Sequence, residues 1–84
     1  MARAARAERL LNDALLTECV EKVRKAYLSA WEATKAEEIT KREQLWLSLR
    51  ALEQVMNEIR SVADSGKMAK LALERAWQRK QQSN

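Results

Sequence analysis

The apolar spacing is clearest between residues 45 and 63, where Leu45, Leu49, Leu52, Met56, Ile59 and Ala63 step by four and three over nearly three heptads. That spacing puts all six on one face of an α-helix, with Trp46, Val55 and Val62 flanking the seam. Arg50, Glu53, Glu58 and Arg60 fall on the opposite side, so the helix is amphipathic rather than buried all round. A weaker pattern precedes it: Leu16, Val20, Val23, Tyr27 and Ala30 recur at the same spacings, and Leu15, Cys19, Ala26, Trp31 and Ala33 widen their face. Asn12 and Asp13 stand just ahead, with short polar side chains of the kind that accept hydrogen bonds from the free amides of a first helical turn. The pattern predicts one long helix over 12–34 and another over 36–65.

Between them lies a stretch without glycine or proline, so the turn has to be found from capping chemistry. Thr34-Lys35-Ala36-Glu37 has the form of a capping box, in which the threonine oxygen takes an amide three residues on and the glutamate reaches back. Thr40-Lys41-Arg42-Glu43 repeats that form six residues later. A turn within 33–41 follows, closing an antiparallel helical hairpin. The competing reading is one continuous helix whose stripe is covered by several chains bundling together.

The only glycine sits in "SVADSGKMAK", residues 61–70, with a lysine directly after it. A phosphate-binding loop needs two glycines, a hydroxyl residue after the lysine and a preceding strand, whereas here Met68 follows Lys67 and a helix precedes. Gly66 reads instead as the left-handed residue beyond a helix C-terminus, where the missing β-carbon avoids a clash. It would act as a joint, ending the second helix and letting a short third helix over 67–80 leave at its own angle. Met68, Leu71, Ala72, Leu73, Ala76 and Trp77 are the apolar positions of that third helix, and 81–84 should fray. Residues 1–11, rich in alanine and arginine, read as a basic arm, helical or frayed.

Composition agrees with an all-α fold. The 84 residues contain no proline and are 46% apolar, dominated by good helix formers, and they make one small domain with a thin core. A lone Cys19 excludes an intrachain disulfide and a thiolate zinc site. The absence of histidine removes the commonest proton shuttle and metal ligand, so no enzyme, cofactor or metal is expected. The apolar runs are too short to span a bilayer, and the basic start lacks the apolar core of a signal peptide, which points to a soluble cytoplasmic protein without membrane contact.

Charge changes the picture more, because it is unevenly spread. Residues 1–11 hold three arginines against one glutamate, and 66–84 hold five basic residues against one acidic, while 12–34 and 35–65 each carry a net −1. The basic ends, Arg3, Arg6 and Arg9 with Lys67, Lys70, Arg75, Arg79 and Lys80, are candidate contacts to DNA phosphates. Cations at a helix C-terminus also complement the helix dipole and need no ligand. Trp77 either stacks on a base or packs on the hairpin. Glu37, Glu38 and Glu43 lie near the turn, where paired carboxylates can bind a metal, but capping explains Glu37 and Glu43 at least as well and no metal is expected. Small helical mutases bind dianions with basic residues projecting between helices, but Arg24, Lys41, Arg42 and Arg50 fall mainly opposite the apolar seams. A catalytic site is not expected.

Self-association is the stronger expectation. One hairpin has too little core to cover Leu16, Val20, Val23, Tyr27 and Trp31 together with Leu45, Trp46, Leu49, Leu52, Met56 and Ile59. Burying each large side chain gains about 1.5 to 3 kcal/mol. Ordering each residue costs roughly 1 to 2 kcal/mol of backbone entropy. A homo-oligomer, or a complex with another helical protein, is the economical solution.

"ERLLNDALLTE", "AYLSAWEAT", "REQLWLSLRALEQVMNEIRSV" and "SGKMAK", in that order, resemble segments of short proteins encoded by tailed phages and prophages. The likeness runs over about residues 8–70 and consists of caps, aromatic anchors and heptad positions. It implies a place in the morphogenesis and DNA-packaging group, and within it the object resembles the oligomerisation core of a phage small terminase. The resemblance implies a DNA-packaging adaptor in the host cytoplasm that assembles into a ring and recruits the large terminase subunit. It departs from many small terminases in having no room for an N-terminal helix-turn-helix domain, so DNA contact would rest on the basic ends. The rival expectations are a phage-encoded inhibitor of a host protein and a virion assembly component without DNA contact.

Overall fold

A computed structural model describes residues 2–82, and among them every regular element is helical. The order is α1 (Ala2–Leu11), α2 (Ala14–Glu32) and α3 (Ile39–Gln82). The all-α expectation holds. The division of the chain does not, because α3 runs through Gly66 without a break and there is no separate helix over 67–80. Residues 81–82 continue that helix, and 83–84 lie outside the described residues.

Asp13 starts α2 as the sequence suggests. Its backbone is extended (φ −72°, ψ 118°), and its carboxylate accepts the Leu16 amide at 2.9 Å. Asn12 and Asp13 are the whole interruption between α1 and α2, so the arm at 1–11 is an ordered helix rather than a frayed end over its described residues.

The turn covers 33–38, within the expected interval, but its chemistry differs from a capping box. The Thr34 hydroxyl donates to the Trp31 carbonyl at the end of α2 and accepts from Arg42 Nη1 at 2.9 Å. Glu38, not Glu37, closes the loop: its carboxylate accepts the Lys35 amide at 2.9 Å, and its own amide donates to the Lys35 carbonyl at 3.0 Å. Thr34 thus stays bound to the helix it terminates and ties it to the Arg42 side chain of α3. Thr40 lies inside the first turn of α3 and starts nothing.

Beyond the turn the chain doubles back, so that Trp31 and Tyr27 of α2 face Leu45 and Leu49 of α3, and Arg24 Nε lies 2.6 Å from Glu53 Oε1. Further along α3, α1 takes over: a β-carbon built on Gly66 would overlap that of Ala4 and stand 3.6 Å from its Cα. Glu8 lies 3.9 Å from Lys67. The broken pair α1 and α2 thus lines one side of α3 from its start to about residue 70, and the last turns of α3 continue alone.

The core is as thin as the chain length implies. Among the described residues, Ala7, Met56 and Ala63 are the buried apolar ones, at 5, 7 and 2% exposure. Leu16, Val20, Tyr27, Leu45, Leu49, Leu52 and Ile59 are half-buried, while Val23, Trp31 and Trp46 are exposed. Val23 was expected in the seam, but Arg24 holds that position. The guanidinium reaches across to Glu53 and back to Glu21, so its stem fills the seam and its charge is paired. The molecule measures 71 × 25 × 15 Å with a radius of gyration of 19.9 Å. A compact chain of this length would be about 12 Å.

Candidate functional site

Two regions carry chemistry, one beside the α2/α3 turn and one where α1 docks on α3. At the far end of the turn-closed pair, Tyr27, Leu28 and Trp31 of α2 and Leu45, Trp46 and Leu49 of α3 line an apolar cleft of about 210 Å³. Trp46 is 52% exposed. Two guanidinium groups sit on the indoles: Arg42 lies 4.2 Å from the Trp31 ring centre, and Arg50 lies 5.3 Å from that of Trp46. Arg42 was expected opposite the apolar seams. It is half-buried instead, held between Trp31 and Thr34. The arrangement offers an apolar surface edged with cations.

The second region arises from the docking of α1. Ala4 meets Gly66, which places the N-terminal arginines beside the stretch of α3 that bears Lys67 and Lys70. The N-terminal basic segment thus docks on the helix that carries the other, with 16 residues of α3 running on past the Ala4–Gly66 contact. Arg3, Arg6 and Arg9 are all exposed, since α1 turns its alanines toward α3 and its arginines away. Arg3 borders a shallow groove with Ser61, Ser65 and Gly66, and Lys67 and Lys70 border another with Ala5 and Glu8. Arg75, Arg79 and Lys80 follow on exposed turns of the same helix. Segments 1–11 and 66–84 carry net +2 and +4, against −2 for the residues between them, so the rod is electrically lopsided.

This convergence was not legible beforehand. The sequence shows two basic ends but not that they meet, and the signal lay in the small residues Ala4, Ala7, Ala63 and Gly66, whose common purpose is a close helix approach. Trp77 does not pack back on the rest of the chain and is 61% exposed. Cys19 lies on the exposed side of α2 rather than in its apolar face. Glu37, Glu38 and Glu43 do not converge, and the described residues include no group of three or more acidic or cysteine side chains arranged to hold a metal ion. No helix among the described residues is long and apolar enough to cross a membrane. Comparison of the chain with protein-family models, characterised proteins and solved structures finds no match.

Proposed function

We propose that this protein is a non-enzymatic DNA-packaging adaptor of the small-terminase kind, which self-associates through the α2/α3 hairpin and holds DNA at its basic end. The observation that carries the proposal is the docking of α1, with Arg3, Arg6 and Arg9 exposed, on the Gly66 stretch of a 71 Å rod whose α2/α3 turn region bears an exposed aromatic cleft. Separation of this kind lets one end assemble while the other faces a polyanion. A surplus of surface supports the assembly half: the chain exposes 7190 Å². A compact monomer of 9.7 kDa exposes about 5,100 Å². The difference is comparable to the area that two ordinary protein interfaces remove from one subunit. Contact with phosphate would come from Arg3, Arg6, Arg9, Lys67, Lys70, Arg75, Arg79 and Lys80, giving affinity without base reading.

Sedimentation of the full chain, alone and with duplex DNA, tests both halves. A closed assembly of many copies, dispersed by Trp46→Ala, together with DNA affinity that falls steeply with salt, is the expected result. A monomer that binds no DNA at low salt would overturn the proposal in favour of an inhibitor of a host protein.

A further inference from the structure

A second stripe runs along the start of α3, on a side of the helix that the hairpin seam does not use. Ile39, Glu43, Trp46 and Arg50 step by four, three and four, with Leu47 beside them. Ile39 is 70%, Trp46 52% and Leu47 53% exposed. Leu28 and Trp31 of α2 adjoin Trp46 across the aromatic cleft and are exposed as well. These five large side chains make one apolar patch beside the turn.

The charges inside the patch identify its occupant. Glu43 and Arg50 are both exposed within the stripe, and among the described residues Glu43 pairs with no cation and Arg50 with no carboxylate. The side chains one turn from Glu43 are Ile39, Thr40, Trp46 and Leu47, all uncharged, while Glu53, one turn beyond Arg50, is held by Arg24. Glu43 and Arg50 stand two turns apart, about 10 Å along the axis, too far to meet within one helix. Their midpoint falls between Trp46 and Leu47. A second copy crossing antiparallel about that point brings the Glu43 of each chain to the Arg50 of the other, and sets Trp46 against Leu47 in both directions. A parallel copy would set glutamate against glutamate and arginine against arginine. We infer that residues 39–50 form an antiparallel two-fold contact with the same residues of a second copy, closed by reciprocal Glu43–Arg50 pairs around Trp46 and Leu47. Closed assemblies of dihedral symmetry contain two-fold contacts of this kind. The inference rests on the self-association half of the reading above, and it specifies the face, the direction and the charge pairs of the interface.

Sedimentation equilibrium of the full chain at about 0.15 M salt reads the association. Glu43→Arg and Arg50→Glu should each weaken it by about tenfold or more, since each sets like charges against each other at two places in the contact. An equimolar mixture of the two variants should recover it, because one offers arginine at both positions and the other glutamate at both. The double exchange in a single chain, Glu43→Arg with Arg50→Glu, should recover it too. Damage within one chain would not be repaired by mixing, and circular dichroism of each variant verifies that helicity is kept. A parent chain that associates but is indifferent to both reversals, or a mixture that associates no more tightly than its components, would overturn the inference and leave self-association to another face. A parent chain that stays monomeric throughout the micromolar range would overturn the inference together with the assembly half of the packaging reading, and would give the patch to a different protein.

Discussion

Gly66 shows how one residue type supports two physical readings. A glycine near the end of an apolar stripe, followed by a change in charge, has the pattern of a left-handed helix terminus, yet no glycine in the described residues has a positive φ and α3 continues through it. What the missing side chain provides is room, because Ala4 occupies the space a β-carbon would take. A glycine inside a helix costs about 1 kcal/mol relative to alanine, and the close approach of α1 offsets that. Gly66→Ala therefore acts in two directions, strengthening α3 while pushing α1 away. Since the obstructing atom is itself a β-carbon fixed to backbone, it cannot rotate aside, and overpacking of this kind costs about 1 to 3 kcal/mol. Hydrogen exchange should show amides of residues 2–11 losing protection in Gly66→Ala while α3 keeps its own, and Ala4→Gly in the same chain should restore them. Unchanged protection would mean that α1 does not rest on this contact.

At the level of elements, the apolar periodicity was a good guide to helices and a poor one to their ends. The seam from Leu45 to Ile59 and the cap at Asp13 were both readable, because each depends on residues within a turn or two of one another. Val23 and Arg24 were exchanged in the reading, since a hydrophobic count assigns valine to the inside. It has no knowledge of Glu53, which arrives from 29 residues away to pair with the arginine. The same limit applies at the turn. Thr34 and Glu37 match the capping pattern, but the bonds go to Trp31 and Arg42 in one case and are made by Glu38 in the other. Substitution separates pattern from bond. Asp13→Ala should cost about 1 kcal/mol, lowering the melting temperature by about 4 to 8 °C. Glu37→Ala should stay within about 0.5 kcal/mol of the parent in denaturant unfolding. Glu38→Ala should be clearly the more destabilising of the two glutamate changes, and the reverse order would restore the capping box.

For the whole molecule, the decisive feature is that α1 docks along α3, which sets one basic segment against the helix that carries the other. If both segments hold the same DNA, affinity depends on that docking as well as on charge. Each phosphate contact contributes about 0.9 to the slope of log affinity against log salt, so exchanging Arg3, Arg6 and Arg9 for glutamine should flatten the slope by at most about 2.7. The sharper test removes no charge at all. Gly66→Ala retains every one of the 16 lysines and arginines. By releasing α1 it should nevertheless weaken duplex binding and flatten the slope toward that of the arginine-free chain. Ala4→Gly, which makes room for the new methyl, should bring both back. Loss and recovery in step with α1 protection would tie DNA affinity to the geometry of the basic end, whereas full affinity in Gly66→Ala would mean that the two segments act as independent tethers and that their meeting on α3 serves the fold alone.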